Sequence, residues 1–512
     1  MNVAADPASM DESAVTAPKP APTPARIVGM GEHYLRYSGA TIAMLIAGLV
    51  SFPVLARLLD NTQFGILGYY DTWLMMAVTV IKLGGQHAIL RMYPFGGDQA
   101  RMTHFSTNLV FLPMLVSLGL WLLAAVVIAG VSAGRGVVMP AVFWCAVALV
   151  PMMVFTSQVE MTLRVSERSG VLTASRVSWR WLELIVVIGA VAAIQRSALS
   201  VYAGKITAAV ILVAIYIVWV RRHLHFSRRT LDLGTYRESL RYSLPLVANE
   251  LAAASLISID RIMLKHLQGD YEVVGIFTIG CALAMQLGVI MNDPLWAAFN
   301  PIANRAHGTE GAAEVRALKT RVLLPVTYAS IGVGVAIWAV GHEALVMLAG
   351  TGKAASGPVF AWLGAMFALL PLLDVSGYGL LLQKRTMTVL TLTALAAGLN
   401  IGLNFLWIPA YGVMGAVYAT VVSYALLSVA RCVLCPRELL KLPDAKSLLT
   451  AVGAALVFVV ALEASGLFGL VAPWKRVLAA GGLWALLYLL PVLALDARVR
   501  GLVFNRGRAT AV

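Results

Sequence analysis

Apolar stretches of about twenty residues recur along almost the whole of this 512-residue chain, and that repetition constrains the fold more than any motif. About twenty residues at 1.5 Å per residue cover the roughly 30 Å hydrocarbon core of a bilayer. Fourteen such stretches fall near 38–58, 66–90, 105–130, 138–163, 171–194, 199–220, 241–265, 273–300, 322–341, 357–382, 387–408, 412–434, 447–470 and 476–495. Because backbone polar groups must be satisfied internally in lipid, spans of this length form helices. The expectation is an all-α integral membrane protein with about fourteen transmembrane helices. Composition agrees, with 60% hydrophobic and only 12% charged residues. The gaps are too short for a soluble catalytic domain, so whatever the protein does is done in or across the membrane.

Residues 1–33, rich in Pro and Ala (APKPAPTPA), contain no apolar run and read as a disordered tail. Lys and Arg crowd alternate connections: Arg91 and Arg101, Arg164 and Arg168, the dense run Arg221 to Arg241, Arg305 to Arg321, Lys384 and Arg385, Arg431 to Lys446, and Arg498 to Arg508. The other connections hold only Arg57, Arg135, Arg196, Arg261, Lys265, Lys353, Lys475 and Arg476. Basic loops resist translocation, so this asymmetry predicts an even number of spans with both termini cytoplasmic. The net charge of +14 is then a matter of topology and attraction to anionic membrane lipids, and no nucleic-acid partner is implied.

Three basic residues lie inside spans: Lys82, Arg180 and Lys205. Charge at that depth costs at least about 2.5–3.5 kcal/mol, so it faces a partner or a wet cavity. Lys205 is near enough to a span end to snorkel instead. In SRVSWRWLELI, Arg176, Arg180 and Glu183 share one helical face, which carries net positive charge even if Arg180 pairs locally with Glu183. Acids also lie at depth: Asp71, Glu183, Glu250, Asp293 and Asp374. Glu250, in LPLVANELAAAS, is nearest the bilayer centre, where a carboxylate is either paired with a cation or protonated. These five are candidates for ion coupling or for structural ion pairs. Asn249, Asn292, Asn300, Asn400 and Asn404 could hydrogen-bond the hydroxyls of a ligand or hold helices together.

The tetrapeptide LRYS occurs at Leu35–Ser38 and again at Leu240–Ser243, each time where a polar stretch gives way to a span. Further on, FGIL at 64–67 matches VGIF at 274–277 with an offset of 210. Six spans separate the two starts, so both repeats open in the same orientation. That predicts two parallel six-helix bundles about an axis normal to the membrane, with a site between them and the last two spans as an appendix. The expected divisions are a tail (1–33), an N-terminal bundle (34–221), a basic cytoplasmic linker (222–239), a C-terminal bundle (240–435), spans 13 and 14 (436–496) and a basic cytoplasmic tail (497–512).

The stretches ARLLDNTQFGILGYYDTW, RYSLPLVANELAAASLISIDRIMLKHLQGDYEVVGIFTIG and AAFNPIANRA resemble the polysaccharide-transporter branch of the multidrug/oligosaccharidyl-lipid/polysaccharide exporters, whose fold is MATE-like. Arg57, Leu58, Leu59, Phe64 and Gly65 match that branch's first-half pattern; Asp260, Arg261 and Gly275 match the second. The resemblance covers residues 34–440 and implies a flippase that moves polyprenyl-pyrophosphate-linked oligosaccharide from the cytoplasmic to the periplasmic leaflet, for exopolysaccharide, O-antigen or capsule assembly. It would work by alternating access, with a polysaccharide polymerase and a chain-length regulator as partners. Arg180, Arg176, Lys82, Lys205, Arg261 and Asn249 are the candidate cavity residues, because guanidinium and ammonium groups suit a dehydrated diphosphate. A membrane polymerase or ligase and a drug or cation antiporter of the same fold are the alternatives. Cys432 and Cys435 form a lone CVLC, and the histidines form no HExxH or Ser-His-Asp pattern, so no metal, cofactor or catalytic group is expected.

Overall fold

The computed structural model describes residues 43–44, 46–166, 169–466 and 472–504. The expected N-terminal tail and the first LRYS lie outside the described residues. Within them the chain is a succession of helices: α1 (Ile46–Leu58), α2 (Asn61–Ile81), a short α3 (Gly85–Met92), α4 (Gln99–Gly134), α5 (Ala141–Val165), α6 (Ser169–Ala193), α7 (Ala198–His223) and α8 (Leu233–Gln268). There follow α9 (Tyr271–Thr309), α10 (Ala312–Ala349), α11 (Thr351–Ser376), α12 (Thr386–Tyr411), α13 (Val413–Val433), α14 (Ala445–Ala464), α15 (Pro473–Leu495) and a short α16 (Ala497–Phe504).

Twelve of these are long and apolar enough to cross a membrane. Adding α1 and α6 gives the fourteen expected. α6 falls short on composition alone, since Arg176, Arg180 and Glu183 all lie within it. The span expected at 66–90 is not one helix. α2 stops at Ile81, Leu83 and Gly84 turn with φ of 50° and 69°, and α3 restarts at Gly85. A left-handed residue with a side chain costs about 1–2 kcal/mol, so Leu83 holds that conformation only because packing around the turn enforces it.

The repeat is legible in three dimensions. Asp60 caps α2 by accepting from the Gln63 amide, and Asp270, 210 residues on, caps α9 by accepting from the Glu272 amide. The two helices then cross at their first turns. A Cβ on Gly65 would run into the Tyr271 carbonyl and one on Gly275 into the Asn61 carbonyl. Residues 61 and 65 thus meet residues 271 and 275 reciprocally, as elements related by a local two-fold must. Only glycine allows backbones this close. Within the first half, α5 packs on α2 and α7, and α6 on α7; within the second, α10 packs on α11, and α12 on α8 and α13.

The expected linker at 222–239 is shorter than its sequence suggested. Asp232 caps α8 through the Gly234 and Thr235 amides, so the helix already runs through 233–239. The remaining turn is fastened to a π-helical stretch of α4: Asn108 donates to the Thr230 carbonyl (2.8 Å) and accepts from the Asp232 amide (2.8 Å). α14 and α15 lie against α10. Trp484 donates to the Gly332 carbonyl (2.9 Å) and Tyr488 to that of Tyr328 (2.7 Å), with Gly332 leaving room for the Tyr488 ring.

Candidate functional site

The break between α2 and α3 exists to fit against the other half. Gly84 sits on Ser243 and Val247 of α8, where a Cβ would collide with both. The turn presents Lys82, Gln86 and His87 to α8 together. Lys82 Nζ is 2.7 Å from one Glu250 oxygen, while His87 Nε2 (2.9 Å) and Gln86 Nε2 (2.8 Å) meet the other. Glu250 is therefore paired with a cation, and the pair joins the first half to the second in the middle of a span. One turn further along α3, the Arg91 guanidinium lies 4.2 Å from the Tyr242 ring centre of α8. Asn249, beside Glu250, keeps a buried side-chain oxygen with no hydrogen-bond partner.

A second cluster occupies the first half, around a cavity of about 390 Å³ lined by Asp71, Glu160, Trp179, Glu183 and Lys205. Lys205 does not snorkel: its ammonium sits 2.8 and 2.9 Å from the two Asp71 oxygens, and Tyr202 donates to the same carboxylate at 2.8 Å. Arg176 binds Glu160 through two nitrogens at 2.6 and 2.9 Å. Arg180 takes the local partner, Glu183, at 3.2 Å. Three cations (Arg176, Arg180, Lys205) thus face three carboxylates (Asp71, Glu160, Glu183), and the expected net positive face is neutral in this arrangement. Glu160 is the residue sequence reasoning missed. It lies near the end of its span, and its partner is sixteen residues away on another helix.

The remaining candidates are elsewhere. Arg261 is buried in the second half, 5.7 Å from the Phe277 ring centre, and joins neither cluster. Its neighbour Asp260, wholly buried, accepts from Asn404 Nδ2 (2.6 Å) and Thr420 Oγ1 (2.9 Å), and makes no ion pair among the described residues. Asn404 also donates to Asn400 Oδ1 (3.1 Å), and its own side-chain oxygen is buried without a partner. Asp374 pairs with Arg431 at 3.4 Å, and Asp293 is exposed with no ion pair among the described residues. No group of three His, Cys, Asp or Glu able to hold a metal occurs among the described residues, and Cys145, Cys281, Cys432 and Cys435 are free thiols.

Residues 33–307 match the family model described as "Polysaccharide biosynthesis protein". The chain belongs to that family. By sequence, no curated protein matches it. Among solved structures the chain is similar to lipid II flippase MurJ in an inward closed conformation, with a TM-score of 0.71 at 11% identity over 91% of this chain and 99% of that one. It is also similar to an inward-facing multidrug resistance MATE family transporter of the MOP superfamily (TM-score 0.59, 14% identity, 78% and 96% covered). A MOP superfamily transporter from Pyrococcus furiosus matches with a TM-score of 0.50 at 12% identity, over 77% of this chain and 93% of that one. At such identities the structures speak for the fold alone: this member of the polysaccharide biosynthesis family has the helical membrane fold shared by MurJ and the MATE transporters.

Proposed function

We propose that this family member is a flippase for polyprenyl-pyrophosphate-linked oligosaccharides, working by alternating access between the two six-helix halves. The observation that carries the reading is that every basic candidate in the first half, Lys82, Arg176, Arg180 and Lys205, sits within the membrane on a carboxylate. A diphosphate entering from lipid needs cations, and a cation already paired exchanges one anion for another without ever being left bare. Arg180 is the readiest to exchange, because its pair is the longest of the four and its side chain is 38% exposed. The similar MurJ structure is that of a lipid II flippase, which supports the same class of cargo here.

Orientation follows from charge. The end of the molecule that carries Arg221–Arg241, Arg316, Arg321, Lys384, Arg385 and Lys441 faces the cytoplasm of a bacterial inner membrane, with anionic lipids around it. A polymerase and a chain-length regulator would then receive the product on the other side. The membrane-enzyme alternative needs glycosyl-transfer groups on an extracytoplasmic loop; the longer described connections, 224–232 and 434–444, are at the basic end.

For ion coupling the geometry separates two carboxylates. Glu250 has the Lys82 ammonium on it; Asp260 accepts hydrogen bonds only from neutral donors among the described residues, with the buried Arg261 beside it but outside ion-pair distance, so a proton or a small cation can complete its charge balance. Asp260, with the oxygens of Asn400, Asn404 and Thr420, is therefore the stronger coupling centre, and Glu250 the lock between halves. The test of the main reading is complementation of a flippase-deficient strain. The parent restores surface polysaccharide, and Arg180→Gln at normal membrane level does not. Equal restoration by both would remove Arg180 from the path.

A further inference from the structure

A cavity of about 310 Å³ lies in the second half at its basic end, among α9, α11, α12 and α13, and shares no residue with either cluster above. Its walls are aromatic and polar together. Trp296 and Tyr378 stand 5.5 Å apart at a 36° tilt, with Phe299 behind them 5.2 Å from Tyr378. Asn300, one turn after Trp296 on α9, lines the same cavity, as do Asp374 of α11 and Arg431 of α13. These polar groups are under-used. Among the described residues Asn300 Oδ1 and Arg431 Nε are buried without hydrogen-bond partners, and the contacts of Asp374 to Ser428 (3.2 Å) and Arg431 (3.4 Å) are long. Buried donors and acceptors are normally satisfied, so unpaired ones on side chains beside a cavity point to a ligand that they meet once those side chains turn toward it.

We infer that this cavity is a saccharide-binding subsite that takes one or two neutral sugar residues, with a ring face on Trp296 and hydroxyls bonded to Asp374, Asn300 and Arg431. Three features select that chemistry. A sugar hydroxyl both donates and accepts, which suits a carboxylate, an amide oxygen and a guanidinium N–H in one place. An exposed aromatic face receives the apolar face of the ring. The Asp374–Arg431 pair leaves no net positive charge, so a diphosphate would meet a carboxylate it repels. At about 310 Å³ the cavity stands at the small end of ligand pockets, too small for a whole lipid-linked oligosaccharide. Its biological sense rests on the flippase reading: it would hold the sugar head at the cytoplasmic entry while the diphosphate engages the charged cluster of the first half.

The experiment is saturation-transfer NMR on the full chain in lipid nanodiscs, with a panel of neutral hexoses and N-acetylhexosamines up to 50 mM, and inorganic pyrophosphate followed by phosphorus linewidth. At least one sugar is expected to show transfer to its ring protons. Trp296→Leu and Asp374→Asn each weaken it about tenfold or more, the cost of a charged hydrogen bond or its like, while Trp296→Phe retains it. Pyrophosphate binding is unaffected by Asp374→Asn. No transfer from any sugar, or transfer unchanged in Trp296→Leu that still runs as a folded monodisperse protein, overturns the assignment. Pyrophosphate binding that Arg431→Gln abolishes would make the cavity an anion site and overturn it too. Equilibrium binding needs no transport, so its failure with complementation intact removes this subsite alone.

Discussion

Lys82→Met removes the cation that joins the two halves at Glu250. Lys82 and Glu250 side chains are 14% and 29% exposed and 2.7 Å apart, so this is a largely desolvated pair. Deleting one member of a buried pair costs about 3–5 kcal/mol. Here Gln86 and His87 remain on the carboxylate, which brings the figure to about 2–3 kcal/mol. Because the partners belong to different halves, that energy belongs to the state in which α3 touches α8, and its loss shifts the ratio of closed to open by about 30- to 150-fold. Spin labels at Leu90 on α3 and Leu244 on α8, both more than half exposed, report that contact by electron–electron resonance in a variant lacking the four native cysteines. The parent gives one short distance; Lys82→Met adds a longer population, and the charge-swapped pair Lys82→Glu with Glu250→Lys restores the short one. An unchanged distribution in Lys82→Met would refute the lock.

Four further outcomes are expected. Gly275→Leu forces a side chain onto the Asn61 carbonyl and should cut the yield of folded protein sharply in fluorescence-detected size exclusion, with a loss above the 1–3 kcal/mol usual for overpacking; a normal profile would mean the crossing is not tight. Asp260→Asn should keep membrane levels while transport in vesicles loses its response to imposed sodium or proton gradients, and a retained response returns the coupling role to Glu250. Reporter fusions after Arg229 and Arg508 should read cytoplasm and one at Thr351 periplasm, and a periplasmic signal at Arg229 would invert the topology. Asp60→Ala removes the α2 cap and should lower the melting temperature by an amount equivalent to about 1 kcal/mol, seen by differential scanning fluorimetry.

The spans were legible because hydrocarbon thickness requires about twenty residues of mostly apolar helix at each crossing, and even α6, with its charges, is long enough. The repeat was legible at 64–67 and 274–277 because the α2–α9 crossing tolerates only glycine at 65 and 275. What sequence could not give was partners across helices. Asp71 and Lys205 are 134 positions apart, and nothing local says that they meet at 2.8 Å. The same holds for Glu250 with Lys82, and for Asp260, which read as half of a family motif until Asn404 and Thr420 closed around it. The break at Lys82–Gly84 was hidden because its left-handed residue is Leu83, which carries no turn signal. His87, which belongs to no sequence motif, is placed on Glu250 by that break.

Purified protein in liposomes, with polyprenyl-pyrophosphate oligosaccharide carrying a fluorescent sugar in the outer leaflet only, tests transport itself. Protection of the label from external dithionite measures flipping. The account predicts protein-dependent protection that Arg180→Gln removes and Lys82→Met alters in rate. Protection no faster than in protein-free liposomes, with the protein folded and correctly inserted, would contradict it.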